Sequence, residues 1–306
     1  MIKNKKILIT GGAGFIGSHL TEYLSKNNKV VVIDNLLRGN KIKNYNKNIK
    51  FIKGDVRNYK IINRYSKGCY MIFHLAALLG VEMVSKDNIL TMDTEIIGMR
   101  NVCLAAIKNK VKKVIYTSSS GIYGKLNYDK NVKENSPANP TSSYALSKKF
   151  NEFYLKAMYK QYKLESLSLR LFNVYGPRQD DRMVIPRFYN QSIKEKKITV
   201  YGNGNQTRDF TYIDDCIYSI TKAAEKFKGC DVLNIAKGAD FKIIELAKYI
   251  KNITKSKSKI SFTKVPEQLE EFQVKKRCGN SSKLYNLINY KPSTKIRKGL
   301  KKTFES

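Results

Sequence analysis

Residues 6–17 read Lys6-Ile7-Leu8-Ile9-Thr10-Gly11-Gly12-Ala13-Gly14-Phe15-Ile16-Gly17, and this stretch decides the fold. It opens as a short apolar strand, passes through a glycine turn, and continues into a helix over residues 14–26 with Ile16, Leu20 and Leu24 along one face. Strand, glycine turn and helix in that order are what a dinucleotide-binding fold requires. Gly11 permits the turn, Gly14 lets backbone approach a pyrophosphate, and Gly17 allows close helix–strand packing. The spacing is GxxGxxG rather than GxGxxG, and such turns also serve purely structural ends; the position straight after an N-terminal strand tells against that. Asp34 ends the next strand, where a carboxylate accepts hydrogen bonds from a ribose 2′-hydroxyl and repels a 2′-phosphate. That favours NAD, while Arg38 close by leaves room for NADP. Asp55, after Gly54, reads equally as an adenine neighbour or a turn aspartate.

Outward from this stretch, strands and helices alternate in the βαβ manner. Apolar runs at residues 30–33, 51–53, 70–75, 114–118 and 167–172 predict a parallel sheet buried on both faces, with a long helix over residues 85–108. The expected class is α/β, a doubly wound Rossmann-like parallel sheet. Pro137 and Pro140 mark a loop, and a helix over residues 141–162 follows with Thr141 or Ser142 as its N-cap. After residue 172 the pattern turns irregular, punctuated by Gly176-Pro177, Pro186 and Gly202-Asn203-Gly204. A smaller, mixed C-terminal substrate lobe begins there.

The chain carries 58 Lys+Arg against 25 Asp+Glu, a formal net charge of +33. Such a balance attracts nucleic acid or anionic sugar nucleotides. Lysine is nevertheless spread along the whole chain among many Asn, Ile and Tyr residues, with no helix-turn-helix, RNP or zinc-finger pattern beside it. Compositional drift is the favoured reading, and no specific nucleic-acid partner is expected. No run approaches the roughly 18 apolar residues of a membrane span. The N-terminus enters a strand without a signal-peptide pattern, so a cytoplasmic, membrane-free protein is expected. Cys69, Cys103, Cys216, Cys230 and Cys278 are scattered without a CxxC pair, which predicts reduced, mostly buried thiols. His19 and His74 are the only histidines, and no metal site is expected.

Tyr144 and Lys148 stand four residues apart, downstream of Thr117-Ser118-Ser119-Ser120. On a helix the pair shares one face, about a turn apart. A cation there favours phenolate and is expected to pull the tyrosine below its free pKa of about 10. A tyrosine tuned in this way moves a proton on or off a sugar hydroxyl while a dinucleotide takes or returns hydride. The bland alternative, an exposed Tyr–Lys pair on a very basic chain, weakens once the other motifs are counted.

Those motifs run through residues 10–20, Asp34-Asn35-Leu36, Gly54-Asp55, His74-Leu75-Ala76-Ala77, residues 118–124 and residues 144–148. They continue through Arg170-Leu171-Phe172-Asn173-Val174-Tyr175-Gly176-Pro177-Arg178-Gln179 and Gln206-Thr207-Arg208-Asp209-Phe210-Thr211-Tyr212. In this the chain resembles an extended short-chain dehydrogenase/reductase of the NAD-dependent sugar epimerase/dehydratase family, UDP-glucose 4-epimerase-like members included, over nearly its whole length. The resemblance implies that Tyr144 is the catalytic acid/base, that Lys148 holds the nicotinamide ribose and tunes Tyr144, and that Ser119 meets the reacting sugar oxygen. It places Gly11, Gly14, Phe15, Ile16, Gly17, Asp34, Asn35, Asp55, Val56, Leu75, Ala76, Ala77 and Thr117 around NAD. It places Ser120, Tyr123, Asn173, Arg208 and, more loosely, Arg277 around a nucleotide-diphosphate sugar. Arg178 reads equally as a nucleotide ligand or a loop closure, and Tyr123 equally as pocket wall or core. Residues 1–172 form the NAD-binding domain in this reading, residues 208–236 return to it, and residues 173–306 supply the substrate-binding lobe. A homodimer through the helices at residues 85–108 and 141–162 is also implied.

Relatives that eliminate water carry Asp-Glu between the positions of Ser119 and Tyr123, decarboxylases carry Glu at the second of these, and 3,5-epimerase-reductases a cysteine there. This chain has Ser120-Gly121. Redox chemistry at C4 remains, as a 4-epimerase that returns the hydride. The alternative is a 4-dehydrogenase or 4-ketoreductase that exchanges its cofactor; a 4,6-dehydratase or a non-catalytic NAD-binding module is disfavoured. Departures from the family pattern are Glu95 where Asn is frequent, Leu79 where some members have lysine, and Asn280 in place of Asp.

Overall fold

The computed structural model describes residues 2–78, 87–125 and 131–305, apart from the side chains of residues 268, 271 and 272. Its centre is a seven-stranded sheet in which every pairing is parallel. The strands are β1 (Lys6–Thr10), β2 (Lys29–Asp34), β3 (Ile49–Lys53), β4 (Met71–His74), β5 (Lys113–Ser119), β6 (Glu165–Leu171) and β10 (Cys230–Ile235), in the order β10-β6-β5-β4-β1-β2-β3. Successive residues of a strand face opposite sides, and here both sides are apolar. Ile7, Ile9, Val32 and Phe73 enter one core with Leu20 and Leu24 of α1 (Phe15–Ser25) and Ile217 and Ile220 of the helix Ile213–Lys226. Leu8, Val31, Ile72 and Val114 enter the other with Met99, Val102, Leu155 and Met158. Each such buried apolar side chain contributes about 1.5–3 kcal/mol.

The two long helices of the second face carry the chemistry-bearing residues. They are α3 (Asn88–Lys108), capped by Asp87, and α4 (Ser143–Tyr162), where Ser142 accepts from the Ala145 amide at 3.2 Å and is therefore the cap. An additional short helix, α2 (Tyr59–Ser66), begins at an Asn58 cap. Strand order reverses between β1 and β4, the place where open α/β sheets leave a crevice at the carboxyl ends of their strands. Register aligns those ends: Thr10 pairs with Ile33 and His74, His74 with Tyr116, and Ser119 with Leu171.

The irregular C-terminal part forms two small sheets. One is β11-β9-β7, from Asp240–Lys242, Thr207–Tyr212 and Asn173–Tyr175; the other pairs Ile260–Thr263 with Ile198–Tyr201. The five cysteines are free thiols, four of them buried. Among the described residues, no helix is long and apolar enough to cross a membrane.

Candidate functional site

The turn after β1 is shaped by what a side chain would strike. Gly11 has φ +70°, and a Cβ there would lie 2.6 Å from the Ala76 nitrogen; a Cβ on Gly17 would lie 2.0 Å from the Gly11 carbonyl oxygen. Glycine is therefore required at both positions. Helix α1 starts at Gly14 with no side-chain cap and no acidic residue in its first turn. Uncapped amides at a helix start form a ready anion cradle, and Leu75, Ala76 and Ala77 run half-buried beside it. Asp34 closes one flank: its carboxylate accepts from the Ala13 amide (3.0 Å) and the Leu36 amide (2.8 Å), while burial pushes its pKa up. These features fit a dinucleotide.

Asp55 lies beside Asn35 at the neighbouring strand end, but Arg57 engages both its oxygens, at 3.0 and 2.8 Å. The arginine's hydrogen bond, ahead of burial, holds its pKa low, as befits a turn aspartate. Val56 is 5 % exposed and packs on Gly98 of α3, so its side chain belongs to the core and only its backbone remains for a ligand.

Tyr144, Ser119 and Lys148 converge at the carboxyl end of β5. The Ser119 hydroxyl is within hydrogen-bonding reach of the Tyr144 phenol and accepts from the Gly121 amide at 3.0 Å. Lys148 is 1 % exposed; it donates to the Thr117 carbonyl (2.8 Å) and forms an ion pair with Glu95 at 3.0 Å. Its ammonium lies 5.3 Å from the centre of the Tyr144 ring. The expected lowering of the tyrosine pKa is not what this arrangement produces. Burial, then the Glu95 charge, push Tyr144 well above the usual phenol value, and only the Ser119 bond opposes them. Burial is the first reason, and beyond it Lys148 already has a counter-ion in the same volume.

Two residues whose readings were open meet definite partners. Tyr123 is 1 % exposed, and its hydroxyl meets Asn234 Oδ1 (2.8 Å), the Lys133 carbonyl (3.1 Å) and Arg170 (2.9 Å), so it is a core residue rather than a pocket wall. Arg178 forks onto Glu22 at 2.7 and 3.0 Å and reaches Ser18 at 3.2 Å, which makes it the tie between the loop after β7 and α1. Ser120 is buried, at 6 %. Leu79 lies outside the described residues.

Asn173 and Arg208 lie on the small sheet, and Arg277 lies beside it. Asn173, exposed on β7, pairs in register with Phe210 of β9 and donates to the Asp209 carbonyl at 3.3 Å. Among the described residues, Arg208 of β9 donates to the Thr207 and Val274 carbonyls, and burial pulls its pKa down to about 10. A half-buried guanidinium held by neutral carbonyls keeps its charge available for an anion. Arg277 reaches the Gly124 carbonyl at 2.6 Å, linking this lobe to the turn that follows Ser119. Asp209, which accepts from the Lys237, Gly238 and Gly279 amides, locks the strands behind these cations.

Two groups were not singled out by sequence reasoning. One is Tyr116 with Asn151, which brackets Glu95: the Tyr116 hydroxyl donates to Glu95 Oε2 (3.0 Å) and Asn151 to the Glu95 carbonyl (3.0 Å). The other is the Arg170–Glu152 pair behind Ser118. A charged residue amid apolar neighbours, as in β6, is the one signal that could have marked the second.

Residues 7–236 match the NAD dependent epimerase/dehydratase family. The chain is 35% identical over 98% of its length to a UDP-N-acetyl-alpha-D-glucosaminuronate decarboxylase of Bacillus cytotoxicus, covering 97% of that protein. Among solved structures it superposes on a UDP-N-acetylglucosamine 4-epimerase of Methanobrevibacter ruminantium in complex with UDP-N-acetylmuramic acid, with TM-score 0.93, 32% identity, and coverage of 99% and 98%. A UDP-glucose 4-epimerase of Thermotoga maritima with UDP-glucose follows, with TM-score 0.92, 31% identity, and coverage of 98% and 97%.

Proposed function

The chain belongs to the NAD-dependent epimerase/dehydratase family, and on that premise we propose that it is a sugar-nucleotide 4-epimerase. The observation that carries this reading is the convergence of Tyr144, Ser119 and Lys148 beside the uncapped glycine turn, where the intervening Ser120-Gly121 has no carboxylate. NAD, when bound, supplies a hydride acceptor and donor. Tyr144 takes the proton from the sugar hydroxyl as that carbon is oxidised, and gives it back when the carbon is reduced from the opposite face. The Ser119 hydroxyl donates to the sugar oxygen as its charge changes. Lys148 orients the cofactor ribose. The uncapped amides of Phe15, Ile16 and Gly17 cradle the pyrophosphate, Gly11 and Gly14 let the backbone come close to it, Asp34 and Asn35 receive the adenosine ribose, and Leu75, Ala76, Ala77 and Thr117 line the channel. Asn173, Arg208 and Arg277 hold the diphosphate of the sugar nucleotide. Epimerases of UDP-linked sugars among its structural relatives make a UDP-linked sugar the first choice.

Elimination of water or loss of carboxylate would call for an acid or base at Ser120 or Gly121, and neither side chain supplies one. Incubation with UDP-, GDP- and dTDP-hexoses, following sugar stereochemistry and NADH absorbance together, tests the proposal. A C4 epimer without accumulating NADH is expected. Stoichiometric NADH would point to the 4-dehydrogenase, and a 4-keto-6-deoxy or decarboxylated product would rule the epimerase out.

We also place a homodimer contact on α3 and α4. Ile89 (70 % exposed), Ile97, Leu146, Phe150 and Phe153 (61 % exposed) leave an apolar outer face on helices whose inner faces carry Glu95, Tyr144 and Lys148. Changing Phe150 and Phe153 together to Asp is expected to give a monomer by sedimentation, because unpaired charge would be buried at the contact. A double variant that stays fully dimeric would remove this interface.

A further inference from the structure

We propose that Glu95 is a positioning residue for the proton step: it clamps the Lys148 ammonium to the Thr117 carbonyl and neutralises it, so that the lysine does not serve Tyr144 as a counter-ion. The inference rests on the proton-transfer role given to Tyr144 above, and it adds a control on when that group ionises. Glu95 is 0 % exposed on α3, and its Oε1 lies 3.0 Å from Lys148 Nζ. Its other oxygen accepts from the Tyr116 hydroxyl (3.0 Å), and Asn151 of α4 holds both that hydroxyl and the Glu95 carbonyl, each at 3.0 Å. Lys148 also sits over the Tyr116 ring, 4.7 Å from its centre. Carboxylate and ammonium are thus both fixed by α3, α4 and β5, with little freedom to swing toward the phenol.

Charge counting gives the consequence. The titratable groups around Glu95 are Lys148 and Tyr144 on α4, Tyr116 on β5, and His74 of β4, which stacks on Tyr116. Burial, then the Lys148 charge, hold His74 down at about 3, so it is neutral; burial keeps Tyr116 a phenol. With Glu95 and Lys148 paired, the set is neutral while Tyr144 is protonated and carries one net negative charge once it ionises. Without the carboxylate, the set begins with one net positive charge and becomes neutral on the same ionisation. A buried site disfavours net charge in each case; burial also pulls the Lys148 pKa down against the hold of Glu95, so the titration of Tyr144 itself decides which group gives up its proton. Glu95 therefore makes Tyr144 harder to ionise, so the phenolate that accepts the sugar proton forms at higher pH than it would beside an uncharged residue.

The test is Glu95→Gln, which keeps the shape and the acceptor for Tyr116 while removing the charge, with Glu95→Asn beside it. Ring-labelled tyrosine NMR, with the Tyr144 signal assigned by its loss in Tyr144→Phe, is followed against pH without substrate. The Tyr144 signal should begin to ionise at least about one pH unit lower in Glu95→Gln than in the parent. The acid limb of kcat should move the same way, with KM little changed. Folded variants whose Tyr144 titration and pH profile match the parent would overturn the proposal. So would failure of both variants to fold, which would make the ion pair purely structural. A shifted NMR titration in a protein that epimerises no sugar nucleotide would leave this inference standing and defeat the proposed reaction instead.

Discussion

Tyr144→Phe is expected to lower kcat by about 10²–10⁴-fold, the usual contribution of a positioned general acid/base, while NAD still binds. The change removes one oxygen from a half-buried ring whose packing under Lys148 is otherwise retained. The loss should appear equally in kcat and kcat/KM, since the missing interaction is one made as the proton moves. Ser119 cannot replace it: an aliphatic hydroxyl is far less acidic than a phenol, and the Gly121 amide that donates to it does not close that gap. Turnover within a few fold of the parent would mean that another group carries the proton, and the assignment of Tyr144 would fall with it.

The largest stability effect is expected at Arg170. This arginine of β6 is 3 % exposed and forks onto Glu152 of α4 at 2.9 and 2.7 Å. It also donates to the Tyr123 hydroxyl and the Glu134 carbonyl, while Ser118 donates to Glu152 at 2.7 Å. Arg170→Met keeps most of the apolar stem but leaves the Glu152 carboxylate buried without its main partner. Breaking such a pair costs about 3–5 kcal/mol, seen as a lower midpoint in a denaturant titration. Adding Glu152→Leu should recover much of that loss, because the stranded charge is then gone. A double variant no better than Arg170→Met would show that packing, not charge, holds this corner together.

The parts of the site that follow from local geometry were legible in the chain itself. Gly11 and Gly17 announce a turn that tolerates no side chain, and the structure puts neighbouring backbone where a Cβ would be. The near-continuous apolar runs marked β1, β2, β4, β5 and β6 because a doubly covered parallel strand has no polar face to interrupt the pattern. The short α2 and the two small sheets were not legible, since their segments carry no uninterrupted apolar run and the strands take their stability from neighbours distant in sequence. Arg178 and Tyr123 show the same limit at single residues. Each had two readings until its partner came into view, Glu22 for one and the Arg170–Asn234 cluster for the other.

The amino-acid sequence by itself determined the glycine turn, the strand–helix alternation and the four-residue spacing that sets Tyr144 one helical turn from Lys148, because each depends only on backbone preference and side-chain periodicity. The tertiary structure alone decided which charge the lysine answers to. Glu95 and Lys148 lie on different helices, and only the packing of α3 against α4 over β5 brings them within 3.0 Å. Once both are out of water their attraction is no longer screened, and it outweighs any pull that the lysine would exert on the phenol.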